Sequence, residues 1–452
     1  MTDRRKIFDL FEAHAEETER RVADGIEEHR KGDAKLKIVD GDGNPVKNAH
    51  VKVRQTSHEF RFGANLFMLD ELETDYKNEE YKRRFADVFN MATLPFYWAG
   101  LEPIRNHPRY AKDSPRIYRR PAPDRCIEFC EAHGIEPREH ALAYDQFFPD
   151  WITGLDEQET EREYERHFAE IAERYADKIP TIEVVNEMEW PVGKSVLYDR
   201  PDFIEWCFRL AEKYFPNNEL VINEHSIPAW EGQCRTADKY YAFIEANLLK
   251  GARIDAIGMQ FHLFNRQEEE YQNTRKLLDP NSLYKHMDLY ALLGKPLQIS
   301  EVTIPSYSWE DEDEQIQADL LEKLYSIWFS HPAVEQIIYW NLVDGYAHVF
   351  EDDPEKIRAT QGDMTRGENY YHGGLIRFDL TPKPAYERLK WLTQQVWHTE
   401  CELVTDEKGE ASFRGFFGDY DAEITVNGLR TEEKIKLSKR TDGIFDLKIA
   451  SK

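Results

Sequence analysis

Thr181-Ile182-Glu183-Val184-Val185-Asn186-Glu187 is a short segment with an apolar, β-branched body and a polar end. It is too short for an ordinary helix, and its composition is that of a buried strand. Working outward, the same form recurs at Phe60–Leu66, Phe89–Leu94 and Arg138–Tyr144 before it. It recurs again at Leu220–Glu224, Ala256–Leu263, Leu297–Val302 and Ile337–Val343 after it. Amphipathic stretches such as Glu161–Tyr175, Asp202–Tyr214, Ala237–Leu249 and Gln315–Phe329 lie between these segments. Eight β-then-α units spanning residues 59–398 predict an α/β chain whose parallel strands close into a (β/α)8 TIM barrel.

The polar ends are the informative part. His140 and Asp145, Asn186-Glu187, Asn223-Glu224, Gln260 and His262, Glu301, and Trp340 with Asp344 all terminate predicted strands. Barrel strands are covered on both faces and have no structural need for such groups. Active sites on this fold are built at the C-terminal ends of the strands.

The flanks follow a different period. Residues 1–34 read as a polar helical segment in which Ile7, Phe8, Leu10, Phe11, Val22 and Ile26 form an apolar stripe that Gly32-Asp33 ends. Residues 35–58 alternate around Gly41-Asp42-Gly43-Asn44-Pro45, which predicts a short β-hairpin. Residues 399–452 return to short alternating strands: Phe413–Phe417, Ala422–Val426, Glu433–Lys436 and a last one at Phe445-Asp446-Leu447. Neither flank buries a core alone. The expectation is one small β-rich accessory module, formed by both terminal segments, that supports the barrel, with carbohydrate binding as the alternative role.

The 452 residues are 41% hydrophobic and 32% charged, enough for a large core, and carry a formal net charge of −27. Such a field repels phosphate backbones, so no nucleic-acid partner is expected. No apolar run approaches a membrane span, and no secretory-type apolar segment follows the charged N-terminus, so the expected location is the cytoplasm. Five sparse cysteines, Cys126, Cys130, Cys207, Cys234 and Cys401, fit free thiols rather than a disulfide framework. There is no HExxH helix, paired-cysteine cluster or glycine-rich phosphate loop, so neither metal nor cofactor is expected.

Two of the polar termini carry the chemistry. Glu187 closes the fourth predicted strand and Glu301 the seventh, so both face the same bowl. Hydrolysing a glycosidic bond with retention needs two carboxyl groups about 5–5.5 Å apart. One attacks the anomeric carbon, and the other protonates the leaving oxygen and then activates water. Glu301 is the expected nucleophile and Glu187 the acid/base, with a raised pKa expected on the acid. Asn186 is placed to bind a sugar 2-hydroxyl, and Gln260 and His262 to orient Glu301. Trp340, Trp98 and Trp190 are candidate platforms for sugar rings, and Glu183 is expected to point away from the bowl.

These residues resemble glycoside hydrolase family 10, best known for endo-β-1,4-xylanases. Ile182–Glu187 is similar to the family's WDVVNE acid/base segment, and Gln298-Ile299-Ser300-Glu301-Val302 to its ITELD nucleophile segment. Ile257–Leu263 matches GIGLQSHL, Asp379–Tyr386 the closing DxxxxPKPAY, and Phe89–Thr93 FNMVT, with Glu102-Pro103 following as EP. The likeness covers about residues 59–395, in the family's order. It implies the barrel, a retaining mechanism and no cofactor. The departures lie on the glycone side. The family's PEN and Lys-Trp pair give way to Leu94–Gly100, and GHTLVWH becomes Glu139–Asp145, keeping His140 but putting Asp145 where a second His is usual. Asn223-Glu224-His225-Ser226 stands for NDYN. His140, Asp145, Asn223 and Glu224 are thus expected among the substrate-binding residues. The expected activity is a retaining hydrolase of β-glycosidic bonds in xylo-oligosaccharides or small β-glycosides. A non-catalytic carbohydrate-binding barrel and a transglycosylase using the same covalent intermediate are the alternatives. Oligomeric state is not legible.

Overall fold

The computed structural model describes residues 4–189, 193–230, 238–351 and 353–449. Eight parallel strands close into a barrel: Arg61–Asn65, Met91–Pro95, Glu136–His140, Thr181–Asn186, Glu219–Glu224, Ala256–His262, Leu297–Thr303 and Val334–Tyr339. Closure runs from Gln336–Tyr339 to Arg61–Ala64. All eight predicted segments form these strands. The third is displaced toward its N-terminus relative to Arg138–Tyr144, because its ladder stops at His140. The chain beyond still runs beside the fourth strand, with Leu142 N donating to Glu183 O and Ala143 N to Val184 O.

The helices between strands form where capping and amphipathicity agree. Glu157–Tyr175 starts at a reciprocal capping box of Asp156 and Glu159 and buries Tyr164, Phe168, Ile171 and Tyr175. Asp311–Ser330 turns Leu320, Leu321, Leu324 and Trp328 inward. A second helix, Ala15–His29, lies across it so closely that a Cβ at Gly25 would sit 2.5 Å from Ser330 O. Just past this helix the Arg30 guanidinium is buried against backbone carbonyls of His331 (2.5 Å) and Val334 (2.7 Å), which fixes the N-terminal segment to the barrel.

The helix ends at His29, and Gly32 and Asp33 already belong to the strand Lys31–Val39. Gly32 does not terminate a helix there. It makes room for the Phe417 ring, which an added Cβ would meet at 2.6 Å. The predicted hairpin is also corrected. Lys31–Val39 pairs with Glu410–Phe416 and Ile444–Lys448, whereas His50–His58 pairs with Glu400–Val404 and Gly418–Val426. The turn therefore carries the chain from one sheet to another. The two sheets enclose a separate core in which Ala34, Leu36 and Ile38 meet Val51, Val53, Tyr420, Ile424 and Leu437. Strands from both ends of the chain thus complete one β-rich unit beside the barrel, each supplying one alternating apolar face.

Among the described residues no helix is long and apolar enough to cross a membrane. Cys126, Cys130, Cys207 and Cys401 are free thiols, and Cys234 lies outside the described residues.

Candidate active site

The fourth strand delivers three functional side chains because it is irregular. Its register slips between Glu183 and Val185. Simple alternation would put Glu183 and Asn186 on opposite faces, but the slip turns both into the barrel. The expectation that Glu183 points away is therefore wrong. Its carboxylate is fully buried, accepts from His140 Nδ1 at 2.8 Å and Asn223 Nδ2 at 3.2 Å, and pairs with Arg138 at 2.6 Å. Although burial alone would raise its pKa, His140 and Arg138 hold it below the usual carboxylate value.

Above this layer the two candidate catalytic carboxylates are joined through side-chain amides. Asn223 Nδ2 lies 3.2 Å from Oε1 of Glu301 and 3.0 Å from Asn186 Oδ1. Gln260 Nε2 lies 3.3 Å from that same Asn186 oxygen and 3.0 Å from Oε1 of Glu187. Asn223 is itself fixed by Ser300, whose Oγ donates to its Oδ1 at 2.6 Å, and by Gly258, where a Cβ would come within 2.3 Å of that oxygen. The glycine is required here by close approach.

Glu301 is buried. His262 Nε2 stands 3.3 Å from its Oε2 and His140 Nε2 4.0 Å from its Oε1. His262 is held by Thr303 Oγ1 at 2.9 Å and stacks on Phe264, and burial pushes its pKa down to about 4, so the ring is neutral. Glu187 stands at the rim, half-buried, with a left-handed φ of 50°. The Tyr144 hydroxyl donates to its Oε2 at 2.5 Å.

Glu301, the expected ionised partner, has a raised pKa. Burial pushes the Glu301 carboxyl well up, and the nearby charges of Glu187 and Glu183 add to it, while His140 and Arg138 pull it back. The chief cause is the depth of Glu301 in the bowl.

Most of the remaining predicted site residues converge, with changed roles. His140 is fixed between Glu183 and the Tyr97 hydroxyl, which lies 3.0 Å from its Nε2. Trp340 packs edge-on to His140 and Phe67 in an aromatic wall with Tyr97 and Tyr144. Asn223 and Gln260 are fully buried and position the carboxylates rather than face a sugar. Glu224 is buried too, accepting from the backbone N–H of His225 (2.8 Å) and Glu189 (3.2 Å). These bonds brace the loop that carries Glu187, and burial pushes the Glu224 pKa up to about 8.

Two predicted ligands are displaced. The Asp145 carboxylate accepts from the backbone N–H groups of Gly193, Lys194 and Ser195 at 2.7, 3.1 and 3.0 Å, so it anchors the loop after Glu187. Trp98 turns outward under the helix Glu157–Tyr175. There it stacks on His167 with ring centroids 4.0 Å apart and donates to Glu102. Trp190 lies outside the described residues.

Sequence reasoning missed Tyr144, Tyr97 and Arg120. Tyr144 stands in the Glu139–Asp145 segment, where the family motif has Trp, and that exchange was the available signal. Arg120 has its guanidinium 4.4 Å from the Tyr97 ring centroid, on the loop after the second strand. No group of side chains among the described residues has the makings of a metal site.

The family model for glycosyl hydrolase family 10 matches residues 78–388, more than half of the chain. The chain belongs to this family. Curated relatives of this family 10 chain include endo-1,4-beta-xylanase 2 of Arabidopsis thaliana, 24% identical over 88% of this chain and 33% of that protein. Another is the anti-sigma-I factor RsgI6 of Acetivibrio thermocellus, 25% identical over 89% of this chain and 46% of that protein. The chain therefore spans less than half the length of either. Among solved structures, native xylanase 10B from Thermotoga maritima superimposes with a TM-score of 0.58 at 22% identity, covering 75% of this chain and 96% of that one. Xylanase 10B from Thermotoga petrophila RKU-1 in complex with xylobiose gives the same score and identity over 75% of this chain and 95% of that one. At these identities the structural likeness speaks for the barrel fold.

Proposed function

We propose that the family 10 barrel is a retaining glycoside hydrolase acting on β-1,4-linked, xylan-type oligosaccharides or small β-glycosides. The carrying observation is the amide ladder from Glu187 through Gln260, Asn186 and Asn223 to Glu301, which ties two carboxylates at different depths into one bowl. Glu301 attacks the anomeric carbon while Glu187 gives its proton to the departing oxygen. Glu187 then takes a proton from the water that opens the glycosyl–enzyme ester, which restores both carboxyls. Asn223 and His262 donate to Glu301 and favour the ionised form that attacks. Asn186 has its oxygen occupied by two amides, which directs its Nδ2 toward a substrate hydroxyl. Trp340 and Tyr97 form the apolar wall on the side of His140.

A second reading is a barrel that binds saccharide without cleaving it; one relative is named as an anti-sigma-I factor rather than as a xylanase. Retention of both carboxylates with their hydrogen-bond partners favours catalysis. A panel of aryl β-glycosides, xylo-oligosaccharides and xylan, with product anomers followed by NMR, separates the two. Hydrolysis giving β-product first is expected. Binding without turnover by the native protein would favour the second reading, and product inverted at the anomeric carbon would overturn the retaining mechanism.

A further inference from the structure

Arg120 is a cation held without an acid at the edge of the bowl, in a chain whose formal net charge is −27. Its stem lies on Gly100, where a Cβ would come within 3.0 Å of its Cγ. Its guanidinium is 4.4 Å from the ring centroid of Tyr97, 5.4 Å from Phe147 and 5.5 Å from Phe67. Its hydrogen bond is a donation from Nη1 to the carbonyl of Arg119 at 2.8 Å. A guanidinium has five N–H donors. Its leading electrostatic neighbours among the described residues are Tyr97, Arg119, Tyr144 and Arg109, none of them a carboxylate.

The neighbours do not neutralise it. Arg119 brings a second positive charge and donates to Asn341 Oδ1 at 3.1 Å. Glu368, the acid that faces Arg119, accepts from Asn341 Nδ2 at 2.7 Å and answers Arg119 and His262. Burial among the rings pushes the Arg120 pKa down to about 10, which leaves it charged at neutral pH. Ring faces attract a cation by about 0.5–2 kcal/mol but accept none of its N–H bonds in the plane of the guanidinium, and a buried charge without a partner is costly.

The position relates Arg120 to the substrate. Tyr97, under the guanidinium, has its hydroxyl 3.0 Å from His140 Nε2, and that nitrogen is 4.0 Å from Glu301 Oε1. Arg120 is thus one aromatic ring away from the group beside the nucleophile. It comes from the loop after the second strand, where the family's usual glycone-binding residues are missing. We propose that Arg120 receives an anionic group, the carboxylate of a uronic acid or a sulfate half-ester, on the glycone part of the substrate. A planar fork suits either anion by paired N–H···O bonds. The assignment rests on the hydrolase reading above and names its substrate class.

The test uses the native protein and aryl β-glycosides whose non-reducing sugar is glucose, glucuronic acid or glucose 6-sulfate, as monosaccharides and as β-1,4-linked disaccharides. The expected result is kcat/KM at least tenfold higher for an anionic member than for its neutral counterpart, with an advantage that shrinks as salt rises. Preference for the glucuronide assigns a carboxylate, and preference for the 6-sulfate assigns a sulfate. Arg120→Met is expected to lower the anionic-to-neutral ratio about 10- to 100-fold, the worth of a hydrogen bond to a charged group, and Arg120→Lys to restore part of it. Equal or lower rates on the anionic sugars, or equal losses on all sugars in Arg120→Met, would overturn the proposal. If neither these sugars nor the xylo-oligosaccharides and xylan named above are turned over, the hydrolase reading fails. Calorimetric titration of the native protein with the same glycosides then decides for Arg120: tighter binding of the anionic members supports it, and no preference overturns it.

Discussion

Asn223 and Glu301 are joined side chain to side chain, with the asparagine Nδ2 3.2 Å from Oε1 of the glutamate. The same nitrogen faces Glu183 Oε1 at 3.2 Å and Asn186 Oδ1 at 3.0 Å, so one amide sets the position of three acceptors. Asn223→Ala removes a charge-assisted bond from Glu301, the proposed nucleophile. It is expected to lower kcat about 10- to 100-fold with a smaller change in KM, as steady-state kinetics on an aryl glycoside will report. A rise in KM alone would mean that Asn223 binds substrate directly.

Tyr144 plays the matching part for Glu187, donating at 2.5 Å. Tyr144→Phe keeps the ring in the aromatic wall and deletes the hydrogen bond. The expected loss in kcat is about tenfold, again the scale of a hydrogen bond to a charged group. Unchanged kcat would show that the hydroxyl is a passive neighbour.

In the proposed mechanism Glu187 protonates the leaving oxygen, so its deletion should matter most where the leaving group is poor. Glu187→Ala is expected to cost about 10²- to 10⁴-fold on xylo-oligosaccharides, the range of general acid catalysis. The loss should be much smaller on a nitrophenyl glycoside, whose leaving group departs without help. Equal losses on both substrates would contradict the acid role.

The depth of Glu301 has a consequence for pH. Its folded-state pKa is raised, chiefly by burial, so the protein gains stability from the protonated carboxyl at low pH. That contribution is fully present below the unfolded value of about 4.3 and is lost as pH rises through the folded value. Glu301→Gln, which cannot ionise, is expected to raise the melting temperature at pH 7 by an amount corresponding to about 1 kcal/mol. The difference should fade toward pH 4. Under the proposed mechanism the same shift sets the acid limb of kcat/KM above the ordinary carboxylate range, because an attacking Glu301 must be ionised. A melting difference that grows with acidity would have the wrong sign for this account.

The layer beneath is structural. Arg138 and Glu183 form a fully buried ion pair at 2.6 Å, and removing one partner leaves an uncompensated charge. Glu183→Ala is expected to destabilise the fold by about 3–5 kcal/mol in a urea titration. A change below about 1 kcal/mol would imply that water replaces the carboxylate.

The barrel was legible because each strand is covered on both faces and therefore reads as a short apolar run with a polar end. Glu187, Glu301, Asn186, Gln260, His262 and Trp340 were placed in the bowl by that rule, since position at a strand end is nearly a statement of position there. Direction was not legible. A carboxylate such as Asp145 satisfies three backbone N–H groups as readily as a sugar hydroxyl, and only the return of residues 193–195 decides between them. Trp98 follows a strand end like Trp340 does, yet its short helix, Trp98–Leu101, rotates the ring toward His167. Glu183 was misplaced because a register slip of one strand is invisible in alternation. The turn at Gly41–Pro45 announced a reversal but not that it would join two sheets.

The most direct test of the central claim is the identity of the attacking carboxylate. The protein is incubated with an activated 2-deoxy-2-fluoro-β-glycoside, which slows hydrolysis of the covalent intermediate, and is then digested and mapped by mass spectrometry. The account predicts one added fluoroglycosyl group on the peptide that contains Glu301, at the Glu301 side chain. A label on Glu187, or on any other residue, would contradict it.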